Sequence, residues 1–288
     1  MYDKLLYYPI TATPFKRNKS YVEVVPSQLL IPYIRCFWGT ESPLIQGKID
    51  ELPELVIPDT CVDIIYHIDY TGNVVMGGFC GINDCSFYAN NGGITGHEVS
   101  TFAIRFYAWS AYAFVDDTLR ATLNGYYDVG SRFEWLDQII RPRLLELRTL
   151  QDKIAFVEKL FIKRLSNVRN NAIIDNSIQS ILSNKGSLDI SDVAKQSFVS
   201  TRQLERLFHE YIGITPKKIS NIIRYQFLWR DILCESHFDI LNAVYRYGYT
   251  DQSHLLREFK RYHSMDINAA RLVALKDVEN IQDNNTQA

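Results

Sequence analysis

Residues 199–218 read VSTRQLERLFHEYIGITPKK, a spacing that predicts a capped helix with one buried face and one presented face. Ser200 is a favourable N-cap, because its hydroxyl can accept from the orphan amides of the first turn. Leu204, Leu207, Phe208 and Tyr211 then recur at i, i+3, i+4 and i+7, the period of a single apolar stripe. Arg202, Glu205, Arg206 and His209 share that period on the opposite side. Gly213 suits a left-handed helix end, and Pro216 suits the first turn of the next helix. Taken alone, an exposed Arg/Glu/Arg row describes an ordinary solvated face.

The pattern does not stand alone. Just upstream, Asp189 with Asp192 three residues on predicts the start of a short helix, with Ile190, Val193 and Ala194 as its apolar side. Two short helices joined by a tight turn at residues 197–199 form a helix-turn-helix, whose second helix enters the DNA major groove. The unit returns about fifty residues later. There Phe238, Leu241, Val244 and Tyr245 are expected to line a short helix, Gly248-Tyr249-Thr250 turns, and Asp251 caps a second helix. In that helix Leu255, Phe259 and Tyr262 face inward, while Gln252, Ser253, Leu256, Arg257 and Lys260 face out. Residues 216–235 between the units read as one helix, about 30 Å long at the standard rise. A helix from about 172 to 184, ended by Gly186, precedes the first unit.

The run Ser200-x-Arg202-x-Leu204-x-Arg206-x-Phe208, then Gly213-x-Thr215-Pro216, then Gly248-Tyr249-x-Asp251-Gln252-Ser253-His254-x-x-Arg257-x-Phe259-Lys260, resembles the AraC/XylS family of bacterial transcription regulators over about residues 172–275. The resemblance implies two helix-turn-helix units joined by the long helix, reading successive major grooves about one DNA turn apart. The chain departs from the family in two places. Phe198 stands in the first turn where the family usually has Gly. The closing Gly-x-Thr-Pro-x-x-Tyr-Arg becomes Ser264-Met265-Asp266-Ile267-Asn268-Ala269-Ala270-Arg271.

The side chains fit that role chemically. Arg202, Gln203, Glu205 and Arg206 are expected in one groove and Gln252, Ser253, His254 and Arg257 in the next. Arg can hold guanine O6 and N7, Gln adenine N6 and N7, and Glu cytosine N4, while Leu256 suits a thymine methyl. Lys217, Lys218, Lys260 and Arg261 are expected at phosphates. Gln203 and His254 are equally suited to bracing the turn or lying beside the backbone.

The chain's 288 residues fit two domains. Its net charge of −2 does not advertise nucleic acid, but residues 195–261 hold 11 Lys/Arg against 7 Asp/Glu, a local excess of the sign DNA requires. The 5 cysteines (Cys36, Cys61, Cys80, Cys85 and Cys234) have no C-x-x-C pair, which fits reduced structural thiols in a cytoplasm. No export leader and no run of about 18 apolar residues is present, so neither secretion nor membrane association is expected. No catalytic constellation, glycine-rich phosphate loop or metal-ligand cluster emerges; the expectation is a non-enzyme without cofactor or metal.

Upstream of the helices, short runs rich in Val, Ile, Phe and Tyr are punctuated by Pro, Gly and Asn. Residues 1–20 read as a loosely packed lead-in. From 61 to 68, Val62, Ile64, Tyr66 and Ile68 share one face; Thr71-Gly72-Asn73 turns and 74–76 return. From 101 to 107, Phe102, Ile104 and Phe106 share a face, with Arg105 opposite. The predicted fold class is α+β: an N-terminal antiparallel β barrel or roll with flanking helices, and a C-terminal all-α domain. The expected partition is 1–166, a β-rich sensing or dimerisation domain; 172–276, the double helix-turn-helix; and 277–288, a frayed tail. Ser131 and Glu134 suggest a capping box, and Thr149 with Asp152 starts a second helix whose stripe (Leu150, Ile154, Val157, Phe161, Leu165) serves either internal packing or a dimer seam.

Trp38, Tyr66, Arg105 and Trp109 are either ligand-pocket residues or, for the aromatics, core and, for Arg105, a surface strand position. A guanidinium among apolar neighbours could hold a carboxylate or phosphate. The segment Ile57-Pro58-Asp59-x-Cys61-Val62-Asp63-Ile64-Ile65, with Gly77-Gly78-Phe79 and Phe102-x-Ile104-Arg105-Phe106, resembles an N-terminal domain found on some AraC-type regulators. That resemblance implies a sensing or regulatory role. Double-stranded DNA is the expected partner, with a small-molecule effector, a homodimer and, for an activator, RNA polymerase as further ones. Two other readings stand beside the effector: an N-terminal domain that only dimerises or meets a protein, and an enzymatic domain fused to the DNA reader, which the missing catalytic groups disfavour.

Overall fold

The computed structural model describes residues 7–13, 21–47, 54–89, 93–235 and 237–274. The expected tail at 277–288 lies outside them. The strands are β1 (Ala12–Thr13), β2 (Val22–Val24), β3 (Ile34–Gly39), β4 (Leu44–Ile45), β5 (Glu54–Val56), β6 (Cys61–Asp69), β7 (Val74–Cys80), β8 (Phe87–Ala89), β9 (Glu98–Tyr107) and β10 (Tyr126–Asp128). The helices are α1 (Gly130–Ile140), α2 (Leu150–Arg164), α3 (Ala172–Ser183), α4 (Ile190–Gln196), α5 (Thr201–Tyr211), α6 (Pro216–Cys234), α7 (Ile240–Arg246) and α8 (Gln252–His263). Residues 267–274 are also helical.

The N-terminal half is an antiparallel roll rather than a closed barrel. Its main sheet runs β10-β7-β6-β9-β3-β2, with β4 also on β9, and a small sheet runs β1-β5-β8. β6 and β9 are the long central pair, with Ile64 opposite Ile104 and Asp63 opposite Arg105. Alternation sends Val62, Ile64, Tyr66, Ile68, Phe102, Ile104 and Phe106 to one buried face. Helices α1 and α2 cover that face, where the Phe106 ring lies 5.9 Å from Phe133 and 5.6 Å from Phe161.

The other face is buried around Asp63 and Arg105, where it carries charge, and opens to solvent toward His67. Arg105 donates Nε–H to Asp63 at 2.9 Å and Nη1–H to Thr11 at 2.9 Å. Trp38 gives its indole N–H to the same Asp63 oxygen at 2.7 Å, and Thr11 donates to Asp59 at 2.5 Å. Burial alone would lower the Arg105 pKa, but Asp63 and its neighbours reverse this and hold the guanidinium firmly charged. Arg105 is therefore not a surface strand residue: a network of the chain's own groups satisfies it.

Four local expectations need correction. Ser131 and Glu134 form no capping box: Val129 is the N-cap without a side-chain bond, and Phe133 breaks the helix at φ −132°, ψ 49°. Ser131 instead donates to the Asp128 carbonyl. The α2 stripe does not offer a dimer seam, because Leu150, Ile154, Val157 and Phe161 are all buried within this chain. The lead-in is not loose at residues 7–13, where Tyr7 is buried and β1 pairs with β5. In α7, Leu241 and Tyr245 are 62% and 88% exposed, and Ala243 and Val244 make the inner face instead. Periodicity alone could not decide between two apolar faces in so short a helix. Among the described residues no helix is long and apolar enough to cross a membrane.

Candidate nucleic-acid interface

Local chemistry builds the first unit as its residue spacing predicts. Ser200 Oγ accepts from Gln203 N at 3.2 Å and opens α5, and Leu204, Leu207 and Phe208 turn inward. Arg202, Gln203, Glu205 and Arg206 are left exposed on the outer side. Gly213 ends α5 with φ +90°, and Thr215 Oγ1 accepts from Lys218 N at 3.2 Å to start α6 with Pro216 in its first turn. Asp189 stands at the α4 N-cap, but its side chain makes no capping bond.

The second unit repeats the design. Asp251 Oδ1 accepts from His254 N at 2.7 Å, and Leu255, Phe259 and Tyr262 are buried behind α8. Gln252, Ser253, Arg257 and Lys260 are exposed, with Leu256 half-buried. The two turns start alike, although the second is one residue longer before its N-cap. Phe198 takes φ +57° where the second unit has Gly248 at φ +66°. Phe198 therefore occupies a left-handed position that suits Gly, with its ring 93% exposed.

The departure at residues 264–271 resolves the same way. Ser264 takes φ +61°, the conformation Gly213 has in the first unit, and Asp266 Oδ1 accepts from Ala269 N at 2.9 Å where Thr215 capped before. The last helix thus forms from different residues that make the same turn and cap.

Helix α6 joins the units. Its 19 residues span about 28 Å at 1.5 Å per residue, comparable with one turn of duplex. It is buried nearly all round, because one side packs on the helical units and the other on the N-terminal half. Arg224 makes a two-oxygen ion pair with Glu258 on α8, Nη2 lying 2.7 Å and 2.8 Å from the carboxylate oxygens, and Tyr249 donates to the same group at 2.9 Å. This buried brace fixes the roll of α8 on α6.

Not every expected DNA contact points freely outward. His254 is half-buried; its ring lies edge-on to Tyr249 at 5.3 Å, and Nδ1 accepts from Thr250 N at 3.4 Å. It braces the turn. Lys217 is exposed, but Lys218 donates to Asp84 of the N-terminal half at 2.6 Å, and Arg261 lies 4.0 Å from the same carboxylate. Burial would raise the Asp84 pKa, yet the bonds from Lys218 and Asn124 and the two cations outweigh it and hold the carboxyl below its usual range.

Other bonds cross the same seam. Thr118 Oγ1 donates to the Glu210 carbonyl at 2.7 Å, at the end of α5. Gln226, buried on α6, pairs with both main-chain groups of Ile10 at 2.8 Å and donates to the Pro58 carbonyl at 2.6 Å. Sequence reasoning missed Asp84, Asn124 and Gln226. Of these only Gln226, a polar residue between Tyr225 and the apolar Phe227-Leu228-Trp229, carried a signal.

The four expected pocket residues do not converge. Trp38 and Arg105 share Asp63 on one sheet face. Tyr66 lies on the opposite face and donates to Asp137 at 2.9 Å. Trp109 follows β9 and stacks on Tyr107 at 5.2 Å.

Comparison with known proteins follows this division of the chain. Residues 193–271 match the family described as "Helix-turn-helix domain", and residues 22–127 match a domain of unknown function, DUF6597. No curated protein matches the chain. Among solved structures, the chain is similar to an AraC-type DNA-binding domain-containing transcriptional regulator from Chromobacterium violaceum, with 22% identity, 35% of this chain and 90% of that one covered, and a TM-score of 0.33. It is also similar to an apo variant of ToxT from Vibrio cholerae, with 11% identity, 90% and 99% covered, and a TM-score of 0.37. A ToxT structure bound to (E)-4-(8-methylnaphthalen-1-yl)but-3-enoic acid aligns at 11% identity, 83% and 99% covered, and a TM-score of 0.37. With two capped helices on one long connector and a helix-turn-helix match spanning both, residues 193–271 form a double helix-turn-helix domain.

Proposed function

We propose that this chain is an AraC-type transcription regulator that reads two successive major grooves with α5 and α8, and that its N-terminal half controls access to them. The observation that carries the reading is the paired exposure of Arg202, Gln203, Glu205 and Arg206 on α5 and of Gln252, Ser253 and Arg257 on α8, at the two ends of one braced helix. Arg206 and Arg257 are assigned to base edges, and Lys217, Lys218, Lys260 and Arg261 to phosphates. Ser253 sits in the first turn of α8, where a short side chain meets either a base or the backbone.

Control is assigned to the seam. In the docked form Asp84 occupies Lys218 and stands beside Arg261, two of the assigned phosphate contacts. Docking and DNA binding then compete for the same cations. An effector that favours one arrangement shifts the balance by its differential affinity for the two. A homodimer, and RNA polymerase for an activating site, remain assigned as further partners. The experiment is selection of bound sequences from random DNA, followed by affinity measurements with Arg206→Ala and Arg257→Ala. Each substitution is expected to lose about 1–3 kcal/mol on the selected site and little on random DNA. Equal losses on both DNAs would reassign that arginine to phosphate.

A further inference from the structure

Phe198 adopts a costly backbone conformation and gains no burial from it. It lies in the turn between α4 and α5 at φ +57°, the left-handed region that is unfavourable for any residue with a Cβ. The turn itself is fixed. Phe198 N–H bonds to the Lys195 carbonyl at 3.0 Å, and Val199 N–H bonds to the Ala194 carbonyl at 3.1 Å. Ser197 is buried, its hydroxyl 2.7 Å from that of Ser177, and Val199 packs against the core. Between them the Phe198 side chain leaves the protein, 93% exposed. A ring left in water adds nothing to the chain's own packing. The second unit opens the equivalent turn with Gly248 at φ +66°, so glycine meets this geometry within the same chain. A strained residue whose side chain the fold does not use points to a function outside the fold.

Its place suggests which one. Phe198 stands two residues ahead of Ser200, the N-cap of α5, and Thr201 and Arg202 beyond the cap are exposed. In a helix-turn-helix the N-terminal residues of the second helix approach the base edges. We propose that Phe198 is a specificity-determining DNA contact, its ring lying on the C5-methyl of a thymine at the edge of the half-site that α5 reads. The inference rests on the DNA reading proposed above and adds a different chemistry to it. Arg202, Gln203, Glu205 and Arg206 match hydrogen-bonding groups, whereas a phenyl ring matches the methyl that marks thymine in the major groove. The ring is uncharged, so it adds sequence preference without adding to the salt dependence of binding. Gly248 has no side chain to do the same, which confines this preference to one half-site.

The test uses the full chain and an operator selected from random DNA, with each thymine of the first half-site replaced in turn by deoxyuridine, which lacks the methyl and keeps the pairing edge. One such replacement is expected to weaken the parent about fourfold, the effect of one methyl group taken out of contact. Phe198→Gly and Phe198→Ala are each expected to bind the operator about tenfold more weakly than the parent, to bind random DNA as the parent does, and to ignore that replacement. Glycine relieves the strained turn and alanine keeps it, so equal losses assign the effect to the ring. A loss in Phe198→Gly alone would assign it to the turn and overturn the contact. So would variants that match the parent on the operator, variants that keep the parent's response to deoxyuridine, or a parent that no replacement weakens. A parent that binds the selected DNA no better than random DNA refutes the DNA reading and this contact together. A parent that discriminates while both variants match it refutes this contact alone.

Discussion

Lys218 and Asp84 meet across the seam between the two halves of the chain, Nζ to Oδ2 at 2.6 Å. Lys218 opens the helix that joins the two reading units, so a carboxylate of the N-terminal half holds a cation assigned to DNA. Asp84→Asn removes the charge that Lys218 and Arg261 face and keeps a group able to bond Asn124. DNA affinity is expected to rise about three- to tenfold, roughly 1 kcal/mol for a partly exposed pair. Fluorescence anisotropy on the selected operator measures it; an unchanged or weaker affinity would remove Asp84 from the control of binding.

Phe198→Gly places the residue best suited to φ +57° at the turn of the first unit. The left-handed conformation costs a residue with a Cβ about 1–2 kcal/mol, partly offset by the greater freedom of glycine when unfolded. A net gain of about 1 kcal/mol is expected, read as a raised midpoint in chemical denaturation. A loss would mean that the exposed ring packs on something that this account omits.

The buried Arg224–Glu258 pair predicts a different outcome. Glu258→Ala leaves the Arg224 guanidinium and the Tyr249 hydroxyl without their acceptor. Removing one partner of such a pair costs about 3–5 kcal/mol. The second unit is expected to loosen while the first keeps its fold, so hydrogen-exchange protection should fall in α8 and persist in α5. Uniform loss across both would show that the units do not fold independently.

Much of this arrangement was legible in the sequence because its causes are local. Ser200 and Asp251 cap their helices through side chains that reach three residues ahead, and Leu204, Leu207 and Phe208 sit at helical period. What was not legible depends on which of two surfaces meets a neighbour. Leu241 and Tyr245 are as apolar as Ala243 and Val244, and only the packing of α7 decides which pair turns inward. Arg105 reads from sequence as either a surface strand position or a site for an external anion because Asp63, 42 positions away, is invisible to local reading as its partner. The seam residues Asp84 and Asn124 carry no pattern at all, since their roles arise from two halves meeting.

His263 gives the second unit a pH dependence. It is buried against the Phe259 and Trp229 rings, and its Nδ1 lies 2.8 Å from the Tyr225 hydroxyl. Burial pushes its pKa down to about 4. The unfolded chain, with an ordinary imidazole, then binds more protons between about pH 6.5 and 4. The stability from the neutral ring is fully present above that window and is lost as pH falls through it, at up to about 1.4 kcal/mol per unit. Denaturation of the parent and of His263→Gln at pH 7.5 and 5 should show a smaller drop for the variant. Equal drops would place the acid sensitivity elsewhere.

Simultaneous engagement of two grooves is tested most directly by changing the distance between them. The connector α6 is a continuous helix of fixed length, and the Arg224–Glu258 brace fixes α8 on it. Inserting about 5 base pairs between the two half-sites of the selected operator rotates one groove to the far side of the duplex. Affinity is expected to fall by about a hundredfold, to near that of a single half-site, and an insertion of about 10 base pairs should not restore it, because the helix cannot lengthen. Binding that is indifferent to either insertion would show that only one unit reads DNA.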